Sequence, residues 1–223
     1  GKLIPGFAPS PLQSAGRGFT LRGRDALVLI DGIPQNANAG ADTFNTIAPD
    51  SIERIEVVPG ASAIYGDGAT GGVVNIITRA PAEGDIEYEV DFGVVASLTS
   101  LDDDGSFSYT GGLGVAAADD RGDVQLSINY DIDNARFDAD GNRIIPISGI
   151  NETDRLGILA KLGYDIDNNQ RIGITYNFYK DTIDTEFTTD TAIINIPGTQ
   201  TARPIFLGEL DFDKPPETIV HNL

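Results

Sequence analysis

The sequence predicts a compact region of mixed α+β structure, followed by antiparallel strands of the kind that build a transmembrane β-barrel. Up to about residue 82, short apolar runs are separated by turns rich in Gly, Pro and Asn. From Asp85 onward, apolar and polar residues alternate with period two, which is typical of β-strands. No stretch approaches the roughly 18 consecutive apolar residues of a transmembrane helix.

Composition and charge exclude several functional classes. The chain has 223 residues with 34 acidic and 15 basic side chains, and its formal net charge is −19. Such an acidic surface repels phosphate backbones, so we expect no nucleic-acid partner. The sequence has no cysteine and a single histidine, His221, which argues against thiolate metal sites and a Ser-His-Asp triad. We therefore expect no catalytic site, no metal site and no enzymatic activity.

Residues 1–82 contain three apolar runs that predict strands. The runs are Ala26–Ile30, Ile52–Val58 and Val73–Ile77. One short helix is predicted over Ala61–Tyr65, where no helix breaker intervenes. The segment Ile30–Pro34 predicts a strand that ends in a tight turn, because Gly32 supplies backbone freedom and Pro34 ends the ladder.

Glycines punctuate the approach to the third run. Gly60 follows the second run, and Gly66, Gly68, Gly71 and Gly72 precede the third. Part of this stretch matches the dinucleotide-binding pattern G-x-G-x-x-G. That site needs a helix after the glycines, whereas Val73–Thr78 predicts a strand. We therefore interpret the glycines as turn residues.

Five segments in residues 83–223 alternate with the period of a β-strand. Each places apolar and aromatic side chains on one face over about ten residues, the length that crosses a bilayer at a tilt. The segments are 86–94, 107–115, 124–132, 156–164 and 172–178, with a sixth strand expected after Pro216. Short connections alternate with long ones, as in outer-membrane barrels. A soluble antiparallel sheet with one buried face is the alternative.

Three blocks of residues 1–82 resemble the plug of TonB-dependent receptors. They are Leu21–Arg24 (LRGR), Val28–Pro34 (VLIDGIP) and Pro49–Pro81 (PDSIERIEVVPGASAIYGDGATGGVVNIITRAP). The resemblance implies a mixed α+β plug in residues 1–82. It implies that residues 83–223 form the first five to six antiparallel strands of an incomplete transmembrane β-barrel. On this basis we expect the chain to be a fragment of a receptor.

The resemblance implies energised import across the outer membrane of a Gram-negative-type bacterium. The implied partners are outer-membrane lipid, a ferric siderophore, and the TonB energy-coupling complex, reached through an N-terminal segment outside this chain. Iron would arrive inside its chelator, so no cofactor is implied. Cobalamin or another large solute is the alternative cargo. A soluble β-rich binding module is the alternative outside this class.

The resemblance also implies roles for individual residues. Plug charges are expected to pair with charged groups on the inner barrel wall, and the candidates are Arg22, Arg54, Glu53 and Glu56. Ligand contacts are expected from the loops at 134–153 and 182–215 and from the plug segment 34–46, with Gln35, Asn36 and Asn38 as its polar candidates. The residues assigned to plug turns are Gly32, Pro34, Gly60, Gly66, Gly68, Gly71 and Gly72.

Overall fold

The computed structural model describes residues 7–8, 20–35, 51–60, 69–80, 84–144, 152–183, 187–188, 205–206 and 217–222. Within these residues the regular secondary structure is mainly β-strand, and a 3-10 helix covers Asp104–Ser106. The strands form two six-stranded sheets and a two-stranded ribbon. The predicted helix at Ala61–Tyr65 lies outside the described residues. No helix in the described part of the chain has the length and hydropathy that a membrane crossing requires.

The first sheet, called here the N-terminal sheet, is mixed. Its strands are β1 (Phe7–Ala8), β2 (Thr20–Leu21), β3 (Arg24–Ile30), β4 (Ile33–Pro34), β5 (Ile52–Pro59) and β6 (Gly72–Thr78). Their order is β1-β2-β3-β6-β5, and β4 pairs with β3. β3 and β6 are parallel, whereas the other pairs are antiparallel. The three predicted apolar runs are therefore strands, and two of them lie side by side at the centre of the sheet.

The two central strands are apolar on both faces. On one face lie Val28, Ile30, Val74 and Ile76, and on the other lie Leu27, Leu29 and Val73. A strand that is covered on both sides favours a continuous apolar run over strict alternation. The first face packs against Leu159, which belongs to the second sheet.

A two-residue turn joins β3 to β4. Asp31 and Gly32 have φ values of +49° and +83°, and the flanking residues Ile30 and Ile33 pair with each other. Positive φ at both central residues is the type I′ geometry, for which Asp-Gly is a preferred sequence because it tolerates the left-handed region. The predicted tight turn is therefore present.

Pro34 is the last residue of β4, at the position where the sequence predicts the end of the strand. It pairs with Leu29 of β3, and the N–H of the following residue, Gln35, donates to the carbonyl oxygen of Val28 at 2.9 Å. In an antiparallel ladder, hydrogen-bonded and non-hydrogen-bonded pairs alternate. Leu29 and Pro34 form a non-hydrogen-bonded pair, which requires no N–H from residue 34, and proline is therefore tolerated at this position.

The second sheet, called here the C-terminal sheet, is entirely antiparallel. Its strands are β7 (Ile86–Ala96), β8 (Phe107–Ala118), β9 (Gly122–Asp133), β10 (Thr153–Asp167), β11 (Gln170–Ile183) and β14 (Glu217–Asn222), in the order β14-β11-β10-β9-β8-β7. The five predicted strands and the sixth are all present. A ribbon of β12 (Phe187–Thr188) and β13 (Ile205–Phe206) lies between β11 and β14 in sequence.

The connections of the C-terminal sheet differ in length at its two ends. Residues 119–121 and 168–169 form tight turns at one end, whereas 97–106, 134–152 and 184–216 connect the strands at the other. In the first turn the Asp119 carboxylate accepts the N–H groups of Arg121 and Gly122 at 2.8 and 2.7 Å, and these hydrogen bonds lower the pKa of Asp119 below its usual value. The predicted alternation of short and long connections is confirmed.

The apolar face of the C-terminal sheet is exposed. Tyr88 and Val90 are each 76% exposed and Phe92 is 75% exposed, and the apolar side chains of the next four strands continue this surface. The opposite face carries the polar residues of the alternating pattern and contacts the N-terminal sheet. Such a continuous exposed apolar surface marks a contact with lipid or with another protein.

Candidate functional site

One leucine of the C-terminal sheet completes the core of the N-terminal sheet. Leu159 on β10 is 0% exposed and shares a cluster with Val28, Ile30, Val74 and Ile76. It is an apolar side chain on a face that is otherwise largely polar. Full burial of a leucine stabilises a contact by about 2 kcal/mol relative to exposure. β10 therefore packs directly against the N-terminal sheet.

An ion pair joins the two sheets two residues further along the same strand. The Lys161 Nζ atom lies 2.7 Å from Asp31 Oδ2 and 2.5 Å from Thr78 Oγ1. Thr78 donates its N–H and its hydroxyl to the two Asp31 carboxylate oxygens, at 3.0 and 2.9 Å. The ionic side chains are only 20% and 21% exposed. The contact is therefore a partly buried, hydrogen-bonded charge pair between β10 and the N-terminal sheet.

The local fold of the N-terminal sheet positions this carboxylate. Because β3 and β6 are parallel, their C-terminal ends lie side by side, which brings Asp31 next to Thr78. The Asp31 N–H donates to the Ile76 carbonyl oxygen at 2.9 Å, and the Gly32 N–H donates to Asn75 Oδ1 at 2.9 Å. The type I′ turn is thus held on both sides, and the carboxylate faces β10.

A second polar contact lies at the start of β5. Ser51 and Ser127 are buried, and their hydroxyl oxygens are 3.3 Å apart. Beside them is a cavity of about 250 Å³ whose lining includes Arg79, Glu89 and Gln125. In the part of the chain that the structure describes, the contacts between the two sheets include an apolar contact, an ion pair and a hydroxyl pair, with a polar cavity next to them.

The four charged residues predicted to pair with the barrel wall lie on the N-terminal sheet. Arg54 contacts Glu53 at 2.5 Å and Glu56 at 2.9 Å on its own strand, and the bonds to Glu56 and Glu53 raise the pKa of the guanidinium. Arg22 is exposed in the turn after β2. Their pairing with a barrel wall stays a prediction. Sequence reasoning missed Asp31 and Lys161 because the pattern shows each residue's face but not its partner.

The remaining predicted residues are only partly described. Gln35 is buried, and its Nε2 donates to the Ile33 carbonyl oxygen at 3.1 Å. Gly60 has a φ of +104° and donates its N–H to Gly71, and Gly72 has a φ of +136°. The remaining candidates, Asn36, Asn38, Gly66 and Gly68, lie outside the described residues. The predicted ligand contacts of Gln35, Asn36 and Asn38 therefore stay predictions.

The long-connection end of the C-terminal sheet contains an open pocket of about 650 Å³. Its lining includes Ser108, Thr110, Phe137, and the arginines Arg136 and Arg155. Both guanidinium groups approach the carboxylate of Asp133, at 3.6 and 3.7 Å. The pocket therefore combines hydroxyl groups, an aromatic ring and paired charges. No cluster of three or more potential metal ligands (His, Cys, Asp or Glu) is present in the described part of the chain.

Part of the chain matches a known family, and most of it is similar to a curated relative. The sequence profile of the TonB-dependent receptor plug domain matches residues 2–73. The rhizobactin receptor of Rhizobium meliloti (strain 1021) is 33% identical over 194 residues, which cover 84% of this chain and 26% of that protein.

Residues 2–73 therefore belong to the TonB-dependent receptor plug-domain family.

Other relatives of this chain have different named cargoes. The ferric aerobactin receptor of Klebsiella pneumoniae is 29% identical over 191 residues, covering 83% of this chain and 25% of the relative. The vitamin B12 transporter of Vibrio cholerae (strain O395) is 35% identical over 164 residues, covering 68% of this chain and 24% of the transporter. The chain spans about a quarter of the length of the curated relatives that it matches.

Solved structures share the fold at low sequence identity. The siderophore receptor PirA from Acinetobacter baumannii superposes with a TM-score of 0.58 at 22% identity, covering 84% of this chain and 29% of that one. The copper transporter OprC superposes with a TM-score of 0.59 at 19% identity, covering 81% of this chain and 27% of that one. Because both identities are low, these likenesses establish the fold alone.

Proposed function

We propose that this receptor chain takes part in TonB-dependent uptake of a ferric siderophore across an outer membrane. The observation that carries the proposal is the seating of the N-terminal sheet on the polar face of the C-terminal sheet, through Leu159 and the Asp31–Lys161 pair. The apolar face on the other side is free to meet acyl chains. A plug inside a barrel has this arrangement, with a polar lumen and a lipid-facing exterior.

The proposal includes the two-part organisation of the chain. Residues 1–82 form the plug, with mixed α+β structure, and residues 83–223 form the first strands of the barrel. Strands of 11 to 15 residues in β7 to β11 support the barrel assignment, since a tilted transmembrane strand needs about 9–11 residues. The localisation is the outer membrane of a Gram-negative-type bacterium, and the chain carries out no enzymatic reaction.

The relatives favour a ferric siderophore as the cargo. Two of them are named for rhizobactin and ferric aerobactin, and these matches cover more of this chain than the match to the vitamin B12 transporter. Cobalamin is therefore the second candidate. The copper transporter shares the fold, so the fold alone does not select the cargo. The ligand contacts come from Gln35, Asn36 and Asn38 and from the long connections.

Energised opening then has a definite local requirement. For the plug to move, the contact of Lys161 with Asp31 and Thr78 must break. Separating a partly buried ion pair without giving either group a new partner costs on the order of a few kcal/mol. Thermal motion rarely supplies this free energy together with that of the other contacts between the sheets. Force transmitted by the TonB complex supplies this free energy. A path opens when the N-terminal sheet loses its contact with β10.

Uptake in paired strains tests the proposal. Cells carrying the gene for this chain, with and without TonB, are given rhizobactin or aerobactin loaded with radioactive iron, and separately labelled vitamin B12. We expect TonB-dependent accumulation of iron from at least one siderophore. Accumulation of vitamin B12 alone would assign the second cargo. Equal uptake of the iron complexes without TonB would rule out the energised mechanism.

A further inference from the structure

Two long connections of the C-terminal sheet are joined to each other by several side-chain contacts. We call residues 97–106 and 134–144 together the rim shelf. The Thr99 hydroxyl donates to the Asp138 carbonyl oxygen at 2.8 Å, and the Ser100 hydroxyl donates to the Gly141 carbonyl oxygen at 2.9 Å. The shelf is therefore cross-linked by hydrogen bonds between loops that are about 40 residues apart in sequence.

Arg143 is the strongest of these links. Its Nη2 lies 2.8 Å from Asp103 Oδ1 in the first loop, and its Nη1 contacts the carboxylate of Glu152 at the start of β10. The guanidinium also lies 5.7 Å from the centre of the Phe137 ring. With an exposure of 13%, the side chain is largely shielded from water, which strengthens both charge-assisted bonds. One arginine thus ties together two loops and a strand end.

Backbone geometry shows that the loops are shaped around this contact. Asp103 caps the 3-10 helix by accepting the Gly105 N–H at 2.9 Å, so the carboxylate that binds Arg143 also holds its own loop. A Cβ atom at Gly105 would come within 3 Å of Arg143 and of Ala135. Only glycine allows the first loop to approach the second this closely.

The rim shelf borders the pocket that contains Arg136 and Arg155. Ser106 at the end of the first loop, and Arg136, Phe137 and Ile144 in the second, are lining residues of that pocket. The Ile144 N–H donates to the Arg136 carbonyl oxygen at 2.7 Å, next to Arg143 in sequence. A change at Arg143 therefore reaches the pocket wall through the backbone.

We infer that Arg143 is a positioning residue that holds the rim shelf as a preformed wall of the ligand pocket. The inference rests on the proposed import function, because it makes this pocket part of the ligand site. A wall that is already ordered before the ligand arrives removes the entropy cost of ordering it on binding. Arg143 itself does not contact the ligand and acts through Arg136 and Phe137.

The test compares Arg143→Gln with a matched variant. Arg171 also bridges two carboxylates, those of Asp123 and Asp165, but at the opposite end of the sheet. Arg143→Gln is expected to accelerate amide exchange in residues 97–106 and 134–144 by about tenfold or more. Arg171→Gln is expected to leave exchange in the rim shelf unchanged. Arg143→Lys is expected to restore protection only in part, because an ammonium cannot bridge both carboxylates as a planar guanidinium does.

Binding and transport give the second readout. With ferric aerobactin and ferric rhizobactin as probes, Arg143→Gln is expected to weaken the affinity by about threefold to tenfold and to leave the maximal uptake rate unchanged. Unchanged amide exchange in Arg143→Gln would overturn the inference. Faster exchange with wild-type affinity would also overturn it, because the shelf would then be ordered without serving the pocket. Exchange needs no ligand, so failure of the wild type to bind either probe would count against the proposed cargo alone.

Discussion

Asp31 is the residue at which the turn, the central strands and the contact between the sheets converge. Its backbone adopts positive φ within the Asp-Gly turn, and its carboxylate accepts from Thr78 and Lys161. An aspartate suits both demands, because it tolerates the left-handed region and its two carboxylate oxygens accept hydrogen bonds. Asparagine at this position keeps the turn and removes the charge, so it isolates the ionic contribution.

A double-mutant cycle measures this contribution. Asp31→Asn and Lys161→Met each leave one polar partner poorly satisfied, so each is expected to destabilise the contact between the sheets by about 1–3 kcal/mol. The double variant is expected to cost less than the sum, with a coupling energy of about 0.5–3 kcal/mol. Thermal unfolding of the receptor in detergent is the measurement. A coupling energy of zero would mean that the pair does not hold the sheets together.

At the scale of a strand, β8 shows how the two faces differ in what they tolerate. Gly112 lies on the polar face, where a Cβ atom would collide with the Asp91 carboxylate. Gly111 lies on the apolar face, where the nearest heavy atom to a Cβ would be the Asp91 carbonyl oxygen at 4.0 Å. Adjacent glycines of one strand therefore occupy unlike environments.

Valine scanning at these two positions tests that difference. Gly112→Val is expected to destabilise the receptor by about 1–3 kcal/mol, since overpacking displaces the Asp91 side chain. Gly111→Val is expected to be neutral or slightly stabilising, because a β-branched residue suits a strand and has room. Denaturant midpoints of the two variants in detergent provide the comparison. Equal losses of stability would show that the faces are assigned incorrectly.

The stability of the loop at 138–142 is expected to depend on pH through the Asp138 carboxylate. The Asp138 carboxylate accepts the Asn142 N–H at 2.8 Å and the Asp140 N–H at 2.9 Å, and these bonds lower its pKa below 3.8. Because the pKa of Asp138 is lower in the folded state, its stabilising effect is complete at pH values above the ordinary aspartate pKa. The effect is lost as the pH falls through the lowered folded-state pKa. Protection of the Asn142 amide, corrected for intrinsic exchange, should therefore stay constant from pH 7 to about 4 and fall below that.

Asp138→Asn serves as the control for this pH dependence. Its side-chain oxygen still accepts the two N–H groups but has no proton to gain near this pH. The protection of its Asn142 amide should therefore be weaker than that of the wild type and independent of pH over the same range. A parallel loss of protection in both proteins would assign the transition to another group.

For the whole molecule, the proposed outer-membrane location makes a testable demand on the two faces of the C-terminal sheet. Adjacent residues of β7 allow a matched test, because Val90 is on the apolar face and Glu89 on the polar face. Val90→Lys is expected to cost about 2–4 kcal/mol near the bilayer midplane and to reduce assembly in the outer membrane. Glu89→Lys is expected to assemble normally. Membrane fractionation gives the readout, and a wild-type protein found in the soluble fraction would refute the orientation.

The sequence by itself determined the features that depend on local periodicity. Alternation with period two located the strands β7 to β11 and their apolar faces, because successive side chains of a strand point to opposite sides. The Asp-Gly pair predicted the tight turn after β3 for an equally local reason. The plug motifs placed the chain in its family, which the profile match over residues 2–73 supports.

Only the tertiary structure decided which elements meet. Nothing local distinguishes a parallel from an antiparallel pairing of β3 and β6, yet the parallel pairing brings Asp31 beside Thr78. Lys161 and Leu159 belong to one polar strand face in the sequence, and their partners lie in another sheet. Such contacts arise when apolar surfaces and charges of distant segments are buried together, and periodicity within one segment carries no information about its partner.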